Sequence, residues 1–218
     1  MDYYYLTYYL LLGSLALIVV AGIQRFRHLD TSMWFLWALS CVTLIGETTA
    51  YVWALKYHNN LIVYAVSSII GISLTCLYFN YSIDIFKKHK TGYIIALISV
   101  LVGVLSNFYF QPPRNFPSYF LHFEALVIIS MAMFSLAYML QKPGYIVLRH
   151  EPHFWVCTVL IFFWSITYFN WSLFEFYANR PDRENNLILL SMFFVNFITN
   201  TAIAIIFFRL PKMKAHGR

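Results

Sequence analysis

Carboxylates set inside long apolar runs carry the most chemistry in this sequence of 218 residues. Glu47 sits in a stripe of Ser40, Thr43, Glu47, Ala50, Tyr51 and Ala54, spaced by three and four so that small and polar groups share one helix face. A later run places Trp164, Thr167, Trp171 and Glu175 on one face, with Asn170 beside it, a flat aromatic wall next to a carboxylate. Another begins with His122 and Glu124, whose two-residue spacing points them to nearly opposite sides of a helix, so one of them faces inward. Asn107 closes a polar stripe of Ser99, Gly103 and Ser106. An ionisable side chain costs a few kcal/mol (about 2.5–3.5) at the centre of a bilayer, so each is a functional pointer by default. Glu47, Tyr51, Asn107, His122, Glu124, Trp171 and Glu175 form the candidate ligand-binding set. The chemistry on offer is hydrogen bonding and attraction of a cation. The Asn107 stripe and two others (Tyr64, Ser68, Gly71 and Thr75; Asn196, Thr199, Asn200 and Ala204) have the pattern of helix-packing seams.

The elements that hold these residues follow from composition. Hydrophobic residues make up 61% and charged residues 11%, too little charge to cover a soluble surface and the reverse of a disordered chain. Seven apolar runs, at about 3–23, 31–57, 61–86, 93–110, 119–139, 154–178 and 186–210, each cross a hydrocarbon core of roughly 30 Å as a helix. Period-two alternation, the mark of a membrane barrel, is absent. The expected fold is all-α, a single seven-helix membrane domain. Pro falls only in the loops and in a tail from Pro211 to Arg218.

Basic residues orient the bundle. Arg25, Arg27, Lys87, Lys88, Lys90, Lys142, Arg149, Arg209, Lys212, Lys214 and Arg218 fall on one side, against Lys56, Arg114, Arg180 and Arg183 on the other. The richer side is cytoplasmic, which puts the amino terminus outside and the carboxyl terminus inside. Glu47, Asn107, His122, Glu124, Trp171 and Glu175 then belong to the outer half, an outward-facing polar and aromatic pocket. The clusters of Lys and Arg beside apolar runs are topology signals rather than a nucleic-acid surface.

Several seven-helix chemistries are excluded. The last run, LILLSMFFVNFITNTAIAIIFF, has no lysine to form a Schiff base, so retinal is not expected, and no other cofactor is implied. The acidic-Arg-aromatic triplet and the Asn-Pro turn of eukaryotic receptors are missing. His150-Glu151-Pro152-His153 spaces its histidines by three with a Pro between, which does not make a zinc helix, and no metal site is expected. Cys41, Cys76 and Cys157 lie within apolar runs and read as packing residues.

The segment LIGETTAYVW, containing Glu47, together with the seven-span plan, resembles the amino-terminal sensor regions of bacterial histidine kinases. The 218 residues hold no kinase domain. The resemblance implies a sensor in a bacterial cytoplasmic membrane that signals through a separate histidine kinase or another membrane partner, in contact with lipid and a small-molecule ligand. Two other classes stay open: a small-solute transporter, and a lipid-modifying enzyme using Glu47 with His122 or Glu124 as acid and base. The expectation is a receptor-like protein rather than an enzyme.

Overall fold

In the computed structural model, backbone is described for residues 2–110, 118–141, 148–177 and 183–216, and side chains for residues 6–110, 118–141, 148, 150–173 and 188–210. The loops around Pro112, Pro143 and Pro181, and the side chain of Glu175, lie outside the described residues. The helices are α1 (Asp2–Gln24), α2 (Thr31–Tyr57), α3 (Leu61–Ser82), α4 (Asp84–His89), α5 (Thr91–Leu105), α6 (Ser118–Gln141), α7 (Pro152–Tyr177) and α8 (Arg183–His216). Among the described residues there is no strand. Seven segments are long and apolar enough to cross a membrane, α4 being the helix that is too short. The protein is accordingly an integral membrane helical protein.

Local chemistry sets the helix ends. The Asp30 carboxylate accepts the Met33 N–H at 2.9 Å and the Ser32 hydroxyl at 2.6 Å, capping α2. His58 ends α2 in the left-handed region (φ 56°), and the Asn59 side-chain oxygen accepts the Leu61 N–H at 2.9 Å as α3 begins. That chemistry turns the chain around in three residues.

Three features differ from the pattern of apolar runs. The third run continues to Phe86, but α3 stops at Ser82, whose hydroxyl donates to the Phe79 carbonyl; Ile83 is extended (φ −132°, ψ 129°). Asp84–His89 then forms its own short helix, with Lys87, Lys88 and His89 in the last turn, where cations oppose the helix dipole. The fourth run is not uniformly α-helical: Ser106–Phe110 is a π-helical turn. Finally, α8 continues through Pro211 to His216, so the tail after Leu210 is largely helix.

The chain forms two compact units, Leu29–Ile128, and Met1–His28 with Ile129–Arg218. In the first, α3 packs against α2 and α5. The α3–α5 pairing is antiparallel and in one register: Gly92 lies against Asn80, Gly103 against Ile69, and Asn107 against Ala65. Each pair sums to the same number, so the two helices stay in step from end to end. Close approach depends on missing side chains. A Cβ at Gly103 would stand 2.7 Å from Ile69 and 2.8 Å from the Phe120 ring, and one at Gly92 would overlap the Cys76 carbonyl oxygen. Small residues let membrane helices gain packing where no hydrophobic force separates helix from lipid. In the second unit α8 packs against α1 and α7, and the Asn200 amide donates to the Ser14 hydroxyl at 3.1 Å. Outward faces stay apolar: Leu55, Leu97 and Leu101 are 57–66% exposed, as suits contact with lipid.

Candidate functional site

Five of the seven candidate residues, Glu47, Tyr51, Asn107, His122 and Glu124, belong to the Leu29–Ile128 unit. Trp171 belongs to the other unit, where it is half-buried on α7 next to the buried Asn170. Glu175 is on the same helix, with its side chain outside the described residues.

Within the first unit, α3 organises two polar levels. At one level the Tyr64 hydroxyl donates to Glu47 Oε2 at 3.1 Å, joining α3 to α2. The next residue of α3, Ala65, offers its carbonyl oxygen to the Asn107 amide at a long 3.5 Å. Glu47 and Asn107 thus attach to adjacent positions of α3. Tyr51 lies one turn along α2 from Glu47 and is half-buried. Six residues further along α3, roughly 9 Å at helical rise, Gly71 leaves space beside Glu124: a Cβ there would be 4.0 Å from Glu124 Oε1. Between the levels, the fully buried Phe120 ring fills the gap made by Gly103 and Ile69.

His122 and Glu124 are divided by their spacing. Glu124 is 4% exposed, whereas His122 is half-buried and its Nδ1 lies 2.6 Å from the Ser118 carbonyl of its own helix. Glu124 is therefore the group turned into the unit.

The decisive feature is what these groups lack. Ser99 Oγ, Ser106 Oγ, Asn107 Oδ1 and Glu124 Oε2 are buried without a hydrogen-bond partner. Their residues are 0, 7, 2 and 4% exposed. Ser99, Ser106 and Asn107 come from a single face of α5 and its π-helical continuation. An orphaned buried polar group costs about 1–3 kcal/mol, and a charged one more. Each of the four needs a physical account: a water, an ion, a ligand or a small shift that closes a direct bond. The sequence stripe identified Ser99, Ser106 and Asn107, but read Ser99 and Ser106 as packing; in the other unit Arg25 Nε, Asn170 Nδ2 and Thr199 Oγ1 are likewise buried without a partner.

The chain matches no family model, no curated protein and no solved structure.

Proposed function

We propose that the protein is a receptor-like membrane sensor that takes a small cationic or hydrogen-bonding ligand at the polar groups of α2, α3, α5 and α6 and signals through a separate partner. The single observation that carries this reading is the set of four buried, unpartnered oxygens on Ser99, Ser106, Asn107 and Glu124. A ligand with donors to offer relieves their cost. One carboxylate among neutral oxygens favours a donor-rich or singly positive molecule. Glu47, tied to Tyr64, stands at the Asn107 level as a further contact, with Tyr51 one turn along α2 from it. Trp171 and Glu175 belong to the other unit, and the reading does not depend on them.

Coupling follows from the packing. The Phe120 ring, held between Gly103 and Ile69, has no spare space, so filling either polar level shifts α6 against α5 and α3. The excess of Lys and Arg at one set of helix ends supports an amino terminus outside and a carboxyl terminus inside. The resemblance of LIGETTAYVW to kinase sensor regions supports a histidine kinase as the partner and a bacterial cytoplasmic membrane as the setting.

Transport of a small solute is the second reading, favoured by the π-helical turn at Ser106–Phe110, where irregular backbone meets unpartnered polar groups. Affinity purification of the intact chain from its native membrane, followed by native mass spectrometry, tests the choice. A copurifying signalling protein, together with a retained small molecule that Glu124→Gln releases, is expected. Solute uptake by proteoliposomes holding this chain alone would overturn the sensor in favour of transport.

A further inference from the structure

A second built feature lies at the opposite end of α3, away from the polar levels, where α3, α4 and α5 meet. Asn80, Tyr81, Lys87, Lys90 and Tyr93 line a cavity of about 400 Å³. All five come from a stretch of 14 residues folded into a helix, a short helix and a second helix. No carboxylate lines it, and no ion pair among the described residues engages Lys87 or Lys90.

The walls are fixed by direct bonds. Asn80 Oδ1 accepts the Gly92 N–H at 3.2 Å, pinning the start of α5 to α3 and leaving the Asn80 amide hydrogens as donors. The absence of a side chain on Gly92 allows that approach. The Tyr81 and Tyr93 hydroxyls lie 2.6 Å apart. One of them donates to the other, so the second keeps a proton to give elsewhere. Tyr81 is in turn stacked on Phe35 of α2, with ring centroids 5.5 Å apart and planes 21° from parallel.

Lys90 supplies an independent sign. It occupies the left-handed region (φ 54°) at the join of α4 and α5, a conformation that favours Gly or Asn. A lysine there accepts backbone strain to place an ammonium beside the cavity. The first turn of α5 adds the positive end of a helix dipole; the Lys90 side chain does not cap it, and of its amides Gly92 N–H is taken by Asn80.

We propose that this cavity binds a phosphate-bearing anion, and that its source is the headgroup of an anionic membrane lipid. Two ammonium groups, a tyrosine hydroxyl and an amide donor suit phosphate oxygens. The cavity lies at the end of two membrane-crossing segments and is flanked by aromatic rings, the depth at which lipid phosphates sit. The same chemistry would accept free phosphate, which the test separates from lipid.

The test uses the full chain purified in a neutral detergent and titrated with short-chain phosphatidylglycerol, short-chain phosphatidylcholine or inorganic phosphate, with thermal unfolding as readout. Phosphatidylglycerol is expected to stabilise the chain saturably, while the other two do so at least tenfold more weakly. Lys90→Gly is the informative variant, because it relieves the left-handed strain. It should melt no lower than the parent chain yet bind phosphatidylglycerol at least tenfold more weakly. Lys87→Gln should weaken binding likewise, and Lys88→Gln, whose lysine does not line the cavity, should leave it unchanged. Equal weakening by Lys88→Gln would reduce the effect to general surface charge and overturn the proposal. So would unimpaired binding by Lys90→Gly, or a response to inorganic phosphate matching that to the lipid.

Discussion

A methyl group added at Gly92 should separate α5 from α3 more than any other single-methyl change in the Leu29–Ile128 unit. The new Cβ would overlap the Cys76 carbonyl oxygen and Asn80 Cβ, and would stand 3.0 Å from Asn80 Cα. Two of those atoms are backbone, so no rotamer change makes room. Overpacking of this kind costs about 1–3 kcal/mol. Moving α5 outward also breaks the Gly92 N–H to Asn80 bond, worth about 0.5–1.5 kcal/mol. Against this, Ala is favoured over Gly in a helix by about 0.8–1 kcal/mol. The balance is a net loss of about 1–3 kcal/mol for Gly92→Ala. Gly13→Ala is the matched control: nothing lies within 4 Å of a Cβ there, so only the favourable helix effect remains. Unfolding of both variants in the same detergent, followed by circular dichroism against temperature, should rank Gly13→Ala at or above the parent and Gly92→Ala clearly below it. Equal stability of the two variants would refute the close α3–α5 register.

The same reasoning covers two interhelical bonds. Tyr64→Phe removes the hydroxyl that joins α3 to Glu47; a bond of this kind in a membrane bundle is worth about 0.6 kcal/mol, and at most about 1.7. A small loss of stability together with an altered ligand response is expected, and an unchanged response would remove Glu47 from the site. Asn200→Leu should loosen α1 from α8 by a comparable amount, because Ser14 keeps its own bond to the Leu11 carbonyl at 2.7 Å; disulfide trapping of α1 against α8 checks this as faster cross-linking exchange.

Hydropathy carries most of the architecture because a lipid-crossing helix must satisfy every backbone group within itself. The run 31–57 coincides with α2, bounded by an Asp30 cap and the His58 turn. What hydropathy misses is backbone detail at equal apolarity. Ile83 is strongly hydrophobic, yet the chain leaves the helix there after Ser82 bonds back to Phe79. The π-helical turn at Ser106 leaves no trace in composition either. For the site, spacing alone separated His122 from Glu124, and burial shows that Glu124 is the inward one. Ser99 and Ser106 looked like packing residues because a serine in a helix usually returns its hydroxyl to its own backbone, as Ser73 does to Ile69 at 2.7 Å. Their lack of such a bond is a property of three dimensions. The basic cavity is hidden for a related reason: in sequence, Lys87 and Lys90 read equally well as markers of orientation.

The unpartnered oxygens are tested most directly by an experimental density map of the intact chain, extracted from its native membrane into lipid nanodiscs. Density from a molecule larger than water, within hydrogen-bonding distance of Glu124 Oε2 and Ser99 Oγ or of Asn107 Oδ1, is the expected result. A dry interior in which Glu124, Ser99 and Asn107 bond directly to other side chains would contradict the ligand-binding reading.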